Sequence, residues 1–268
     1  MGDPGREEVP AVPRVRVNHL DVYYETHGAR DGPALVLLHG FMSSGAAWSE
    51  QLEALGERYR LVVPDWRGHG RTANPAGPEA MTHRQFARDV IGLCQALGLE
   101  GAIFCGHSSG AMQLLTLGLE APGLARALIL CAGTYFFADE LRAWWRTQTP
   151  ESVTDAARRE TLRAAHTAEG LDHWRTVVAA WLALAGHAHG DDFPEPEALP
   201  GLEMPVLLVH GDRDRFFPVE VPAQLYGMLP DAELCLLPRT GHGLPRERAG
   251  WFNTIVLDFL ARRATVER

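Results

Sequence analysis

Two adjacent serines lie between two glycines in the segment FCGHSSGAM, residues 104–112. In the pattern G-x-S-x-G, the central serine occupies a sharp turn between a strand and a helix, and small flanking residues permit that turn. The segment follows an apolar run and precedes a helical pattern, so Ser108 is central and Ser109 comes next. Ser108 is the candidate nucleophile, although five residues of this kind also fit an ordinary glycine–serine turn.

A serine nucleophile requires a base, and the base requires an acid that orients it. The candidate base is His242, which lies in the segment TGHG after an apolar run. Two candidate acids, Asp212 and Asp214, follow the run PVLLVHG and so lie at the carboxyl end of a predicted strand. The backbone N–H groups of Phe41, in the segment HGF, and of Ser109 are the candidate donors to an oxyanion. These residues together predict acyl-transfer chemistry.

Short apolar and β-branched runs predict the strands that position these residues. They are VRVN (15–18), DVYYET (21–26), ALVLLH (34–39), RLVVPD (60–65), AIFCGH (102–107), ALILCA (127–132), PVLLVHG (205–211) and AELCLLP (232–238). The first two predict a hairpin, and the nearly continuous apolar character of the later runs is typical of parallel strands covered on both faces. Segments with helical periodicity alternate with them: 83–97, the segment after Ser109, 221–229 and 251–260. For the first of these, Thr82 is the predicted N-cap and Gly98 the predicted C-terminal stop. The alternation predicts an α/β fold with a doubly wound, mostly parallel sheet.

The segment 138–200 contains no strand candidate and holds four of the seven tryptophans. We expect a helical cap there, inserted between two parts of one core, 1–137 and 201–268. Packing of the cap against the core is the first expectation for these tryptophans, and substrate contact is the alternative. On composition alone, Trp144, Trp145 and Phe136 are candidates for an apolar substrate pocket. Four histidines of the cap have no acidic or cysteine partner at ligand spacing, so we expect exposed histidines and no metal site: His166, His173, His187 and His189.

Composition limits the partners and the compartment. The 268 residues fit one large domain, and the formal net charge of −9 argues against nucleic acid or an anionic membrane surface. No apolar run approaches the length that spans a bilayer. Cys94, Cys105, Cys131 and Cys235 form no C-x-x-C pair, so buried free thiols and a reducing compartment are expected. The polar, acidic first ten residues do not resemble a signal peptide, and we expect a soluble, cytoplasmic protein.

Five motifs, in this order, resemble those of the α/β-hydrolase superfamily: HGF (39–41), DWRGHGR (65–71), GHSSG (106–110), HGDRD (210–214) and TGH (240–242). The likeness extends from about residue 15 to residue 260. It implies an α/β-hydrolase fold and a triad of Ser108, His242 and an acid. The family pattern G-x-x-D-x-x-x-P fits Asp214 and so favours it over Asp212, for which we expect a loop hydrogen bond.

The resemblance also implies structural roles around the site. In the loop 65–71 we expect glycines with positive φ and a local pair between Asp65 and Arg67. His39, His69 and His107 are interpreted as structural.

The function implied is a serine hydrolase of the carboxylesterase kind, without a cofactor, acting on a small, apolar ester. A serine nucleophile, in place of aspartate, weighs against a haloalkane dehalogenase or an epoxide hydrolase. Gly243 stands where relatives that cleave carbon–carbon bonds often have tryptophan, which disfavours that subtype without removing it. A lactone, a thioester or a carbon–carbon bond as substrate stays open, as does a non-hydrolytic lyase, oxygenase or receptor on the same fold.

Overall fold

The computed structural model describes residues 13–186 and 192–264. Eight strands form one sheet: β1 (Arg14–Val17), β2 (Leu20–Gly28), β3 (Ala34–Leu38), β4 (Arg60–Pro64), β5 (Ala102–His107), β6 (Ala125–Cys131), β7 (Val206–Gly211) and β8 (Ala232–Leu237). The helices are α1 (Ser49–Gly56), α2 (His83–Leu97), α3 (Ser109–Glu120), α4 (Asp139–Arg146), α5 (Ala156–Ala165), α6 (His173–Gly186), α7 (Glu220–Met228), α8 (Leu244–Glu247) and α9 (Ala249–Arg263). Each of the eight predicted strands is present, with ends shifted by at most two residues.

The strand order is β1-β2-β4-β3-β5-β6-β7-β8. β2 pairs antiparallel with β1 and β4, whereas β3 to β8 pair in parallel, which confirms the doubly wound, mostly parallel sheet. The order reverses at β3, which lies between β4 and β5. In open α/β sheets, ligands bind beyond the carboxyl ends of the strands at such a reversal. The strand order therefore predicts a ligand site beyond the carboxyl ends of β3 and β5.

Both faces of the central strands are buried. On β3, Val36 and Leu38 face a cluster that includes residues of α2 and α3. Leu35 and Leu37 face the opposite cluster, which includes residues of α1 and α9. Burial on both sides explains why these strands are continuously apolar and do not alternate.

The predicted limits of α2 are confirmed by its caps. The Thr82 hydroxyl accepts a hydrogen bond from the N–H of Gln85 at 3.2 Å. Gly98, at φ +63°, ends the helix in the left-handed conformation.

Between β6 and β7, the described part of the chain contains helices α4, α5 and α6 and a 3₁₀ turn at Pro196–Gly201, and no strand. Trp174 packs with Leu162 and Val178 inside this segment. Trp145 and Trp181 belong to a different cluster, with Phe41 and other residues of the core. The segment therefore has a small core of its own and a second apolar contact with the sheet domain. His187 and His189 lie outside the described residues.

All four cysteines are free; Cys94, Cys105 and Cys131 are buried and Cys235 is half-buried. No helix in the described ranges has the length and apolar character needed to cross a bilayer.

Candidate active site

Ser108 lies at the junction of β5 and α3, in a conformation that few residues adopt. Its backbone has φ +54° and ψ −120°. A non-glycine residue in this region is strained, and such strain persists only where the surroundings fix it. The Ser108 N–H donates to Cys131 O at 2.8 Å, which ties the turn to β6. Ser108 is thus held at the carboxyl end of β5, at the reversal of strand order.

The two glycines of GHSSG are required by close backbone contacts. A Cβ on Gly106 would lie 2.2 Å from Gly110 O, and a Cβ on Gly110 would lie 2.1 Å from Leu38 O. These distances are too short for any side chain, and the contacting atoms belong to the backbone. The glycines therefore let α3 pack directly against the end of β3.

Gly110→Ala is expected to lower the free energy of unfolding by about 1–3 kcal/mol, because the added methyl group overpacks the contact with Leu38. Gly250→Ala in α9 is the matched control, since a Cβ there meets nothing within 4 Å. That change should be neutral or stabilising by up to about 1 kcal/mol. Urea unfolding of both variants measures the difference; equal stabilities would show that the close contact is absent.

The structure brings the predicted triad residues together. His242 Nε2 lies 3.0 Å from Ser108 Oγ, and His242 Nδ1 lies 2.7 Å from Asp214 Oδ2. Asp214 Oδ1 accepts hydrogen bonds from the N–H groups of Phe216 at 2.9 Å and Phe217 at 3.2 Å. Burial raises the pKa of Asp214, but the hydrogen bond and charge of His242 outweigh it, so the pKa is lowered. Asp214 is therefore ionised beside the imidazole.

The second candidate acid has the loop role expected for it. Asp212 Oδ1 accepts a hydrogen bond from the Thr240 N–H at 3.2 Å. This bond links the end of β7 to the loop that carries His242.

Glu247, at the end of α8, is a residue that the sequence motifs did not indicate. Its two carboxylate oxygens accept from the N–H groups of Gly241 at 2.7 Å and Gly243 at 3.2 Å. Glu247 thereby fixes both glycines that flank His242. An acid five residues after a glycine-flanked histidine is the only signal that the sequence offered.

The segment HGF lies beside Ser108. A Cβ on Gly40 would lie 3.3 Å from Ser108 Cβ. The Nδ1–H of His39 donates to Gly40 O at 2.8 Å. Because C=O and N–H of a trans peptide point in opposite directions, this bond directs the Phe41 N–H away from His39. Ser109 is the first residue of α3, where N–H groups have no partner within the helix. Both residues predicted to supply donors therefore lie next to Ser108 or to its neighbour Gly40.

Ser108 and His242 open onto a cavity of about 900 Å³. Its wall includes six phenylalanine and tryptophan side chains: Phe41, Trp48, Trp145, Trp181, Phe216 and Phe217. A second wall is formed by one face of α5, which includes Ala157, Arg158 and Thr161. Within the described residues, no group of three His, Cys, Asp or Glu side chains is placed to hold a metal ion.

Of the three side chains predicted for the pocket, only Trp145 lies in the cavity wall. Trp144 is 47% exposed, because the neighbouring position on α4 is the one that turns inward. Phe136 packs against Tyr135, with ring centroids 4.8 Å apart, and is not part of the wall. Phe216 and Phe217, which the sequence analysis did not name, stand edge-on to the His242 ring at 5.0 and 5.5 Å.

The loop 65–71 differs in part from the expectation. Gly68 and Gly70 have positive φ, as predicted. Arg67, however, pairs with Asp89 of α2 at 2.8 and 3.0 Å, whereas Asp65 pairs with Arg71. The predicted pair of Asp65 and Arg67 was wrong, because α2 brings a buried carboxylate beneath the loop that the local sequence does not reveal.

Two histidines of the segment 138–200, His166 and His173, are buried, which corrects the expectation of exposed side chains. His166 Nδ1 accepts from the Gly70 N–H at 3.1 Å, and the His173 Nε2–H donates to Gly68 O at 2.9 Å. Both bonds link the segment between β6 and β7 to the loop 65–71. His107 Nε2–H donates to the carbonyl oxygen of His242 at 2.8 Å and so supports the loop of the candidate base.

The buried histidines should make stability fall on acidification. Burial lowers the pKa of His39, His107 and His166 to about 3 from 6.5. Because the folded-state pKa is depressed, their full contribution is present above about pH 6.5 and is lost as pH falls towards about 3. Urea midpoints measured from pH 7.5 to 4.5 should stay level down to about pH 6.5 and decrease below it. His166→Gln should reduce this slope; a stability independent of pH would contradict the assignment.

Comparison with known proteins agrees with this geometry. A model of the alpha/beta hydrolase family matches residues 35–255. The chain is 26% identical to the uncharacterized hydrolase YugF of Bacillus subtilis, over 95% of this chain and 99% of that protein. It is 30% identical to a magnesium-chelatase 30 kDa subunit of Rhodobacter capsulatus, over 93% of this chain and 94% of that protein. The solved structure of an enol-lactonase from Burkholderia xenovorans superposes with a TM-score of 0.77 at 23% sequence identity. The match covers 93% of this chain and 100% of the enol-lactonase chain. The chain therefore belongs to the α/β-hydrolase family of enzymes.

Proposed function

We propose that the protein is a serine hydrolase that cleaves a carboxylic ester through an acyl-enzyme on Ser108. The observation that carries this proposal is the unbroken line of contacts from Asp214 to His242 and from His242 to Ser108, at 2.7 and 3.0 Å, which opens onto the cavity. Nucleophile, base and orienting acid are all within hydrogen-bonding distance, which is the arrangement that activates a serine.

The reaction has two halves. His242 Nε2 takes the proton of Ser108 while Oγ attacks the ester carbonyl, and Asp214 stabilises the imidazolium. The N–H groups of Phe41 and Ser109 hold the oxyanion. The tetrahedral intermediate collapses, the alcohol leaves with the proton from His242, and an acyl group stays on Ser108. Water, deprotonated by His242, then attacks the acyl carbonyl and releases the acid and free Ser108.

The cavity supports a small, largely apolar ester as substrate. The aromatic side chains beside Ser108 offer apolar contact to the acyl or the alcohol group. Residues 138–200 act as the cap in this proposal, since Trp145 of α4, Trp181 of α6 and one face of α5 contribute to the cavity wall. We propose a reducing, cytoplasmic location on the basis of the four free cysteines.

The test is steady-state and pre-steady-state hydrolysis of nitrophenyl esters across acyl lengths. We expect a burst of nitrophenol that matches the enzyme concentration, because the acyl-enzyme forms before it is hydrolysed. The acyl length with the highest kcat/KM indicates how long an acyl chain the apolar part of the cavity accommodates. Lactones, thioesters and vinylogous diketones belong in the same panel. Turnover of one of these without any turnover of esters would replace the proposed bond, and binding without turnover in the whole panel would contradict the hydrolase.

A further inference from the structure

Ser109, the serine that is not the candidate nucleophile, has a histidine and an aspartate of its own. Its hydroxyl lies 3.0 Å from His83 Nε2. The other ring nitrogen of His83, Nδ1, pairs with Asp192 Oδ2. Ser109 and His83 are fully buried, and the Asp192 side chain is 13% exposed. Ser109, His83 and Asp192 thus form a second serine–histidine–aspartate arrangement, which begins one residue after the candidate nucleophile. The proposed reaction does not use it.

This second line does not form a second active site. Ser109 is inaccessible and is not among the residues that line the cavity. No substrate carbonyl can therefore reach its hydroxyl. Ser109 instead supports two neighbouring features: the strained turn at Ser108, and its own N–H group, which is proposed to bind the oxyanion.

Asp192 orients the His83 ring towards Ser109. Burial raises the pKa of Asp192, but the charge and hydrogen bond of His83 and the backbone N–H of Arg84 outweigh it, so the pKa is lowered. An ionised Asp192 pairs with Nδ1 of His83 and orients the ring, so that the other ring nitrogen, Nε2, lies within hydrogen-bonding distance of the Ser109 hydroxyl. Ser109 is thereby held on its side-chain face, while Ser108 is held by its N–H on Cys131. The strained turn is clamped from both sides.

Asp192 also links this clamp to the cap. It lies between α6 and β7, and the next residue, Phe193, packs on the His83 ring with centroids 5.3 Å apart. Phe193 contacts Phe137 at 5.0 Å, and Phe137 contacts Phe217, a cavity residue, at 6.2 Å. The Arg84 N–H donates to Asp192 Oδ1 at 3.3 Å, which seats the same segment on the start of α2. The segment that ends the cap thus closes directly over His83.

We propose that His83 and Asp192 are positioning residues that act through Ser109, so that the oxyanion-binding N–H is fixed only while the end of the cap is seated on α2. This inference rests on the proposed function. Complete loss of one oxyanion donor typically costs about 10²–10³ in kcat. Here the N–H remains and loses only its support, so a smaller effect, about 10-fold, is expected.

The experiment compares Ser109→Ala, Asp192→Asn and the double variant on a nitrophenyl ester. Asp192→Asn keeps the shape of the side chain and serves as the second variant if Ser109→Ala folds poorly. We expect each single change to lower kcat about 10-fold with little change in KM. The double variant should be no slower than the single ones, because both changes break the same line. Asp172→Asn is the control: this cap aspartate is exposed and pairs only with Arg163 in the described part of the chain.

Binding of phenylboronic acid separates positioning from a purely structural role. The boronate forms a tetrahedral adduct on a reactive serine and places a charged oxygen where the oxyanion lies. Its affinity should weaken about 10-fold in both single variants, in parallel with kcat. Unchanged kcat and boronate affinity would overturn the inference, as would a lower thermal midpoint with full activity per folded molecule, or losses that multiply in the double variant. Failure of the proposed function looks different, since Ser108→Ala would then keep its turnover.

Discussion

Ser108→Ala is expected to lower kcat by about a millionfold, because removal of the serine from a comparable triad abolishes the acyl-enzyme route and leaves only binding and oxyanion contacts. The structure makes the change specific. Ser108 Oγ is the atom within 3.0 Å of His242 Nε2, and an alanine there adds no atom and keeps the backbone of the turn. Nitrophenyl ester turnover and the burst amplitude are the two measurements. Both should vanish together.

Ser109→Ala is the matched comparison for that experiment. It removes the same hydroxyl group from the adjacent residue, yet the expected loss is only about 10-fold, since a donor keeps its place and loses its support. A gap of about five orders of magnitude would assign the nucleophile to Ser108 alone. Comparable losses in the two variants would show that the register of GHSSG had been assigned wrongly. Full turnover in Ser108→Ala would remove the serine mechanism altogether.

The parts of the molecule that the sequence predicts well are those set by local patterns. The β5 strand, the GHSSG turn and α3 follow one another without a gap, and each depends on residues within a few positions of itself. The limits of α2 were predictable for the same reason, since the hydroxyl of Thr82 and the left-handed glycine at Gly98 act on the helix that they border. Asp214 could be chosen over Asp212 only from the family pattern.

The sequence could not predict partners that the fold brings from a distance. Arg67 pairs with Asp89, 22 residues away, and His83 reaches Ser109, 26 residues away. The sequence also does not show which side of α4 lines the cavity: of two adjacent tryptophans, Trp145 lies in the cavity wall and Trp144 is exposed to solvent. Helical periodicity constrains which residues share a face, but it does not say which face meets the core. For this reason the proximity of Ser108, His242 and Asp214 could be predicted, whereas the side chains that line the cavity could not.

Asp214→Asn is expected to lower kcat by about 10⁴, the size of effect seen when a triad histidine is held in the wrong tautomer. The reason lies in the two oxygens of the carboxylate. Oδ1 accepts from the N–H groups of Phe216 and Phe217, so in the asparagine variant the amide oxygen must take this position. The amide NH₂ then faces His242 Nδ1, where Oδ2 accepts a hydrogen bond in the native enzyme.

An NH₂ group at that position donates to Nδ1 and leaves the imidazole proton on Nε2, so His242 cannot accept the proton of Ser108. Fold and substrate affinity should be preserved, and we expect a normal unfolding midpoint and a KM within a few-fold of the native value. Asp212→Asn is the matched control, because Asp212 lies two residues away, accepts the loop bond from Thr240 and pairs with the exposed Arg213 at 3.7 Å. Its turnover should stay within a few-fold of native. Two equal losses, or a larger loss at Asp212, would show that the acid had been misassigned, whereas a loss confined to Asp214 places the tautomer of His242 under the control of this single carboxylate.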